Sequence, residues 1–169
     1  MSTALIASSE HLAKGRAPDL SEVEFGLMIA GHAFDRWIVR CMAAAGLPDL
    51  TSNDVMVLHH VYHRRRAKKL ADICFTLNVE DTHIVNYSLK KLERLGMVTG
   101  ERQGKEVFYA ATDEAERIIQ RYVQIREECL IEGLQAAAGT GLEVTRQLAN
   151  TLRALSGLYD QAARAATSL

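Results

Sequence analysis

Apolar residues near the start of the chain recur at steps of three and four: Leu20, Val23, Leu27, Ala30, Phe34, Trp37 and Cys41. That spacing lines one stripe of a long helix over residues 19–46 and forms a heptad-like seam. Asp19 or Ser21 can cap its start, Glu22 and Glu24 suit its first turn, and Gly46-Leu47-Pro48 ends it. Val55, Leu58 and Tyr62 then predict a short helix to about His63. Thr51 heads it as the cap, with Asp54 at the reciprocal capping-box position. Leu70, Ala71, Cys74 and Phe75 give a third helix its buried face. In a fourth, over about 81–95, Val85, Leu89 (or Ser88), Leu92 and Leu95 point inward, and Gly96 is the expected C-terminal cap.

Beyond Gly96 the period shortens to two. Met97–Glu101 and Lys105–Ala111 read as paired strands, with Arg102-Gln103-Gly104 making the turn and Val107, Tyr109 and Ala111 alternating with Phe108 and Ala110. The helical period then returns. Thr112 caps a helix with Asp113, Glu114 and Glu116 in its first turn and Ala115, Ile118, Ile119, Tyr122, Ile125, Cys129 and Leu134 along its stripe. Gly139-Thr140-Gly141 breaks it, and a last helix over about 142–166 carries Leu142, Leu148, Leu152, Leu155 and Tyr159. Two short helices, a turn and a small β-hairpin make a winged helix-turn-helix, an arrangement that sets one helix in a DNA major groove. The expected fold is mainly α with a small β-wing, the winged helix-turn-helix flanked by long N- and C-terminal dimerisation helices. Residues 1–18 read as a flexible tail without a signal pattern, 19–46 as a dimerisation helix, 47–111 as the DNA-binding domain and 112–169 as further dimerisation helices.

Charge sharpens this picture. The net charge of −1 argues by itself against a nucleic-acid binder, but its distribution does not. Residues 60–105 hold ten of the twenty Lys and Arg and five of the twenty-one acids, a local +5, which leaves −6 for the remainder. A basic field on an acidic body suits phosphate steering. No apolar run approaches the roughly 18 residues of a membrane span, so no membrane partner is expected. Cys41, Cys74 and Cys129 lie at wide, unrelated spacings, which fits a reducing cytoplasm better than a disulfide framework or a zinc site.

The sequence resembles the MarR family of transcriptional regulators over about residues 20–165. Leu50-Thr51 heads the second helix, Lys69-Leu70-Ala71 opens the third, and Lys91-Leu92-Glu93-Arg94-Leu95-Gly96-Met97-Val98 leaves the fourth. Ala111-Thr112 follows the wing. The order of elements carries the resemblance more than any one motif. It implies a homodimer that presents two recognition helices about one DNA turn, roughly 34 Å, apart. Two departures stand out. The family's Asp-x-Arg near the wing tip is replaced by Arg102-Gln103-Gly104-Lys105-Glu106, and the turn before the recognition helix is one residue longer.

The fourth helix exposes groups suited to bases and phosphates. Asn86 can pair with adenine, Thr82 and His83 can donate or accept, and Tyr87 offers a ring to a thymine methyl or a hydroxyl to a phosphate. Lys90 and Lys91 are placed to meet the backbone, as are Lys68 and Lys69 ahead of the third helix. Arg64, Arg65 and Arg66 either do the same or keep a loop wet. At the wing, Arg102 and Lys105 either border the minor groove or are solvated turn charges. His59, His60 and His63 invite a check as metal ligands, but no Glu or Cys lies at a fixed spacing beside them, so no metal and no cofactor is expected. The cysteines fall on apolar stripes and read as small hydrophobes, with redox sensing as the alternative. Catalytic motifs are missing, and no enzyme is expected. The sequence therefore points to a sequence-specific, dimeric regulator of transcription whose partner is double-stranded DNA, with a small-molecule effector left open. The alternative is a helical dimeric scaffold whose winged helix binds protein.

Overall fold

A computed structural model describes residues 18–133 and 142–169. The tail expected over residues 1–18 lies outside these, Pro18 excepted, and so do Leu134 and the break expected at Gly139-Thr140-Gly141. Contacts divide the chain into one compact unit that ends at Ile125 and a second from Arg126 to Leu169.

In the first unit, helix α1 spans Pro18–Ala44. It begins earlier than expected, so Asp19 lies in its first turn and neither Asp19 nor Ser21 is its cap. Proline suits the first helical position because its missing N–H would find no intrahelical partner there. The C-terminal part of α1 is built into the core through Ile38, Cys41 and Met42, with Ala45 just beyond its end. Leu20, Val23 and Phe34, which the seam predicts, are exposed in the single chain.

Helix α2 spans Ser52–Tyr62, and its capping box forms as predicted. Asp54 N–H donates to Thr51 Oγ1 at 3.2 Å, and Thr51 N–H donates back to Asp54 Oδ2 at 2.8 Å. Strand β1 (Lys68–Lys69) leads into helix α3 (Leu70–Leu77). Here the inward face differs from the expected one. Ile73 and Cys74 are buried and Leu70 and Leu77 pack beside them, while Ala71 is exposed and Phe75 is 88% exposed. The reason is phase: positions 70, 73, 74 and 77 form an i, i+3, i+4, i+7 stripe, and 71 and 75 lie on its edge and beyond.

Helix α4 covers Thr82–Arg94 and buries Val85, Ser88, Leu89 and Leu92, whereas Leu95 is exposed. Gly96, at φ +72°, sits where the chain must turn left-handed, and Met97 N–H returns to the carbonyl of Leu92 at 2.9 Å. The turn of the wing is tighter than predicted, two residues instead of three. Strands β2 (Val98–Gln103) and β3 (Glu106–Ala111) pair through Gln103 and Glu106, so the turn is Gly104-Lys105. Glycine first, at φ +66°, is the pattern of a type II′ turn, whose twist matches the strands. β1 adds to the other edge of β3, giving the antiparallel order β1-β3-β2.

Thr112 caps helix α5 (Asp113–Arg126) as expected, accepting from Ala115 N–H at 3.2 Å while its hydroxyl donates to Gly96 O at 2.7 Å. One residue thus starts a helix and fastens the end of α4. Ala115, Ile119, Tyr122 and Ile125 complete the core. In the second unit a π turn, Glu127–Ile131, is followed by helix α6, Leu142–Ala166. Leu148, Leu152 and Tyr159 of α6 are exposed, and so is Cys129, against the buried position expected for it. No helix of the described residues is long and apolar enough to cross a membrane.

Candidate nucleic-acid interface

The turn between α3 and α4 sets the direction of α4. Asn78 ends α3 in a left-handed conformation, φ 53°, which asparagine tolerates better than most residues. Val79 packs against the core, and Asp81 caps α4 by accepting from His83 N–H at 2.9 Å. With Val85, Ser88, Leu89 and Leu92 fixed inward, 3.6 residues per turn fix the outward stripe as His83, Tyr87, Lys90 and Arg94. All four are exposed. Thr82 is exposed to one side of this stripe, and Asn86 is half-buried on the same side. Asn86 therefore flanks the outward stripe instead of leading it. Arg94 is missing from the sequence-based set, although its spacing of four from Lys90 and eleven from His83 marks it.

The lysines separate sharply. Lys90 projects outward, but Lys91 turns back into the protein. Lys91 Nζ donates to Asp54 Oδ2 at 2.8 Å and to the carbonyl of Asp49 at 2.6 Å. The Asp54 side chain is 1% exposed and that of Lys91 only 20%. Burial pushes the Asp54 carboxyl pKa up, yet the bonds from Lys91, Thr51 and Ser88 outweigh it and leave the group below the usual carboxylate range. Lys91, expected at a phosphate, spends its ammonium in the free chain as a strut from α2 to α4. Lys68, expected at a phosphate too, is likewise bonded within the free chain. Its Nζ donates to the carbonyls of Val61, His63 and Arg66 at 2.9, 2.6 and 3.1 Å, tying down the loop that joins α2 to β1. Burial, then Arg66 and Arg64 nearby, lowers its pKa.

Lys69 pairs with Glu106 of β3 at 2.5 Å and lies 5.3 Å from the centre of the Phe108 ring. The bond with Glu106 raises its pKa. Between this pair and Thr82 lies a cavity of ≈ 320 Å³, lined also by Leu70, Ala71, Val107 and Tyr109. Arg102 stands on β2 opposite Val107, not in the turn, and its Nε donates to Gly104 O at 3.3 Å. Lys105 occupies the turn itself and is exposed. Arg65 pairs with Glu116 of α5 and lies 6.0 Å from the Tyr62 ring centre, so it serves the root of the wing.

The histidines of α2 do not gather. His59 sets its ring edge-on against Tyr122, centroids 4.5 Å apart, while His63 leaves the helix in a 3-10 turn. Burial lowers the pKa of His59, and burial, followed by Lys68 and His63, lowers that of His60. Among the described residues no three His, Cys, Asp or Glu side chains form a group that could hold a metal ion. Cys41 is buried, its Sγ donating to the carbonyl of Tyr122 at 3.6 Å, and burial raises the pKa of the buried Cys74 thiol.

Residues 50–115 match the winged helix DNA-binding domain family. No curated protein matches the chain in sequence. Solved structures match its fold. A MarR-family transcriptional regulator from a Rhodococcus species is 17% identical with a TM-score of 0.61, over 84% of this chain and 95% of that one. Reduced AbfR of Staphylococcus epidermidis bound to DNA is 16% identical with a TM-score of 0.66, over 88% and 99%. CouR from Rhodococcus jostii, bound to p-coumaroyl-CoA, is 17% identical with a TM-score of 0.61, over 79% and 90%. The chain therefore has the MarR-type fold around a winged helix DNA-binding domain.

Proposed function

We propose that this chain, a winged helix DNA-binding domain set between long helices, is a sequence-specific regulator of transcription that grips duplex DNA as a homodimer. The carrying observation is the capped α4 helix, whose outward stripe of His83, Tyr87, Lys90 and Arg94 is left open by its own chain. These side chains offer base-edge partners near the N-terminus and phosphate partners near the C-terminus, the order a recognition helix uses. Thr82 and Asn86 read from one flank. Arg102 and Lys105 of the wing reach the neighbouring minor groove, where negative potential favours a guanidinium. Lys69 meets a phosphate once Glu106 gives it up.

Dimerisation rests on apolar surface that the single chain leaves uncovered: Leu20, Val23 and Phe34 on α1, and Leu148, Leu152 and Tyr159 on α6. Light scattering is expected to give twice the chain mass at micromolar concentration. A small-molecule input is proposed by analogy with CouR, whose structure holds p-coumaroyl-CoA. The protein acts by binding, without catalysis, in the cytoplasm. Selection of bound duplexes from random DNA by the purified protein tests the whole reading. The expected product is a palindrome bound more weakly as salt rises. A chain that enriches no duplex would instead be the protein-binding scaffold.

A further inference from the structure

Ile84 is an apolar residue on the reading helix that the DNA contacts above do not use. It lies in the first turn of α4 and is 41% exposed. Three residues on, the Tyr87 ring is 67% exposed, and positions i and i+3 are neighbours on a helix surface. Together they form one wall of an open groove of ≈ 460 Å³, also lined by Thr51, Asn53, His83 and Ser88. Nothing in the core explains isoleucine here. Val85, Ser88, Leu89 and Leu92 already fill the buried face, and a β-branched residue is a mediocre helix former.

The surroundings limit what can cover this spot. Ile84 sits at the positive end of the α4 dipole, where an anionic partner is favoured. The N-terminal residues of a recognition helix are those that meet base edges. Among the groups that bases present in the major groove, the apolar one is the C5-methyl of thymine.

We infer that Ile84, backed by the Tyr87 ring, is a specificity-determining residue that packs on a thymine C5-methyl in each half-site. This inference rests on the proposed DNA-reading function and narrows it to a named base and atom. Desolvating one methyl is worth about a fourfold change in affinity, the factor that corresponds to burying one CH₂ group.

Replacing thymines one at a time by deoxyuridine in a selected duplex removes that methyl and nothing else. Fluorescence anisotropy is expected to show one position per half-site where the parent protein loses about fourfold. Ile84→Ala should bind the thymine and deoxyuridine duplexes alike at that position, and Ile84→Val should restore the difference. Because Ile84 is partly exposed, circular dichroism should show both variants folded. A parent indifferent to deoxyuridine at every position overturns the inference while leaving DNA recognition intact. So does an Ile84→Ala variant that keeps the full difference. If the parent binds no duplex at all, the DNA-reading function fails and the inference falls with it.

Discussion

Lys91→Met separates a strut from a contact. Methionine keeps most of the lysine stem and removes the ammonium that bridges Asp54 Oδ2 and the carbonyl of Asp49. Removing one partner of a fully buried pair typically costs about 3–5 kcal/mol, because the other charge is stranded. Here Lys91 is 20% exposed and Asp54 keeps its bond from Thr51 N–H, so about 2–3 kcal/mol is the working figure. In a chain of this length that lowers Tm by roughly 5–10 °C. The loss should be pH-dependent with a definite sign. The folded pKa of Asp54 lies below its ordinary 3.8, so its contribution is present above that value and disappears as pH falls through the lower, folded one. Asp54→Asn should therefore be destabilised at pH 7, and the double variant should lose less than the two single losses combined. DNA binding supplies the second assay. A phosphate contact contributes about −0.9 to the slope of log K against log salt. Lys91→Met should weaken binding by misplacing α4 and leave that slope unchanged. A variant with parental Tm and a slope shallower by about 0.9 would refute the strut.

Three further outcomes are expected. Tyr87→Ala should reduce discrimination between duplexes more than Asn86→Ala does, since Tyr87 is on the outward stripe and Asn86 is half-buried beside it; competition with single-base variants of the selected site checks the order, and the reverse order would move the reading face toward α3. Arg102→Ala should weaken sites with A/T-rich flanks most, while equal affinity across flanks would make the wing a passive hairpin. Burial depresses the folded pKa of His59 below its ordinary 6.5, so the unfolded chain binds its proton first and stability should fall as pH drops below about 6.5; His59→Phe should flatten urea-denaturation midpoints over that window, and an unchanged slope would remove His59 as the cause.

Much of this fold is legible in the sequence where local chemistry decides it. Thr51 with Asp54, and Thr112 with its acidic first turn, announce helices because the caps are satisfied within four residues. The α4 stripe was readable because its apolar positions repeat over three turns. What was not legible turned on phase or on partners distant in sequence. Helix α3 has only eight residues, so Ala71 and Phe75 could be exchanged for Ile73 and Leu77 without breaking the pattern. The wing's strands ran past the expected turn because Gln103 is held by Glu106 across the hairpin. Lys91 looked identical to Lys90 in sequence. The difference is made by Asp54, 37 residues earlier, and no local rule couples them.

That difference changes how the basic segment should be read. Of its ten cations, Lys91 is consumed by a buried carboxylate, Lys68 by three carbonyls, and Arg65 and Lys69 by ion pairs with Glu116 and Glu106. Lys90 and Arg94 on the outward stripe and Arg102 and Lys105 on the wing are the exposed cations on the two elements proposed to meet DNA. With Lys69 still paired to Glu106, four phosphate contacts per subunit at about −0.9 each give a salt slope near −3.6, or roughly −7 for a dimer engaging both half-sites. Counting all ten cations would instead give about −9 per subunit. A measured slope well beyond −7 would mean that the internally paired lysines are released on binding, with Lys69 first because its partner Glu106 is exposed and surface pairs are weak. A slope near −7 would mean that four of the segment's ten cations build the domain while four others hold DNA.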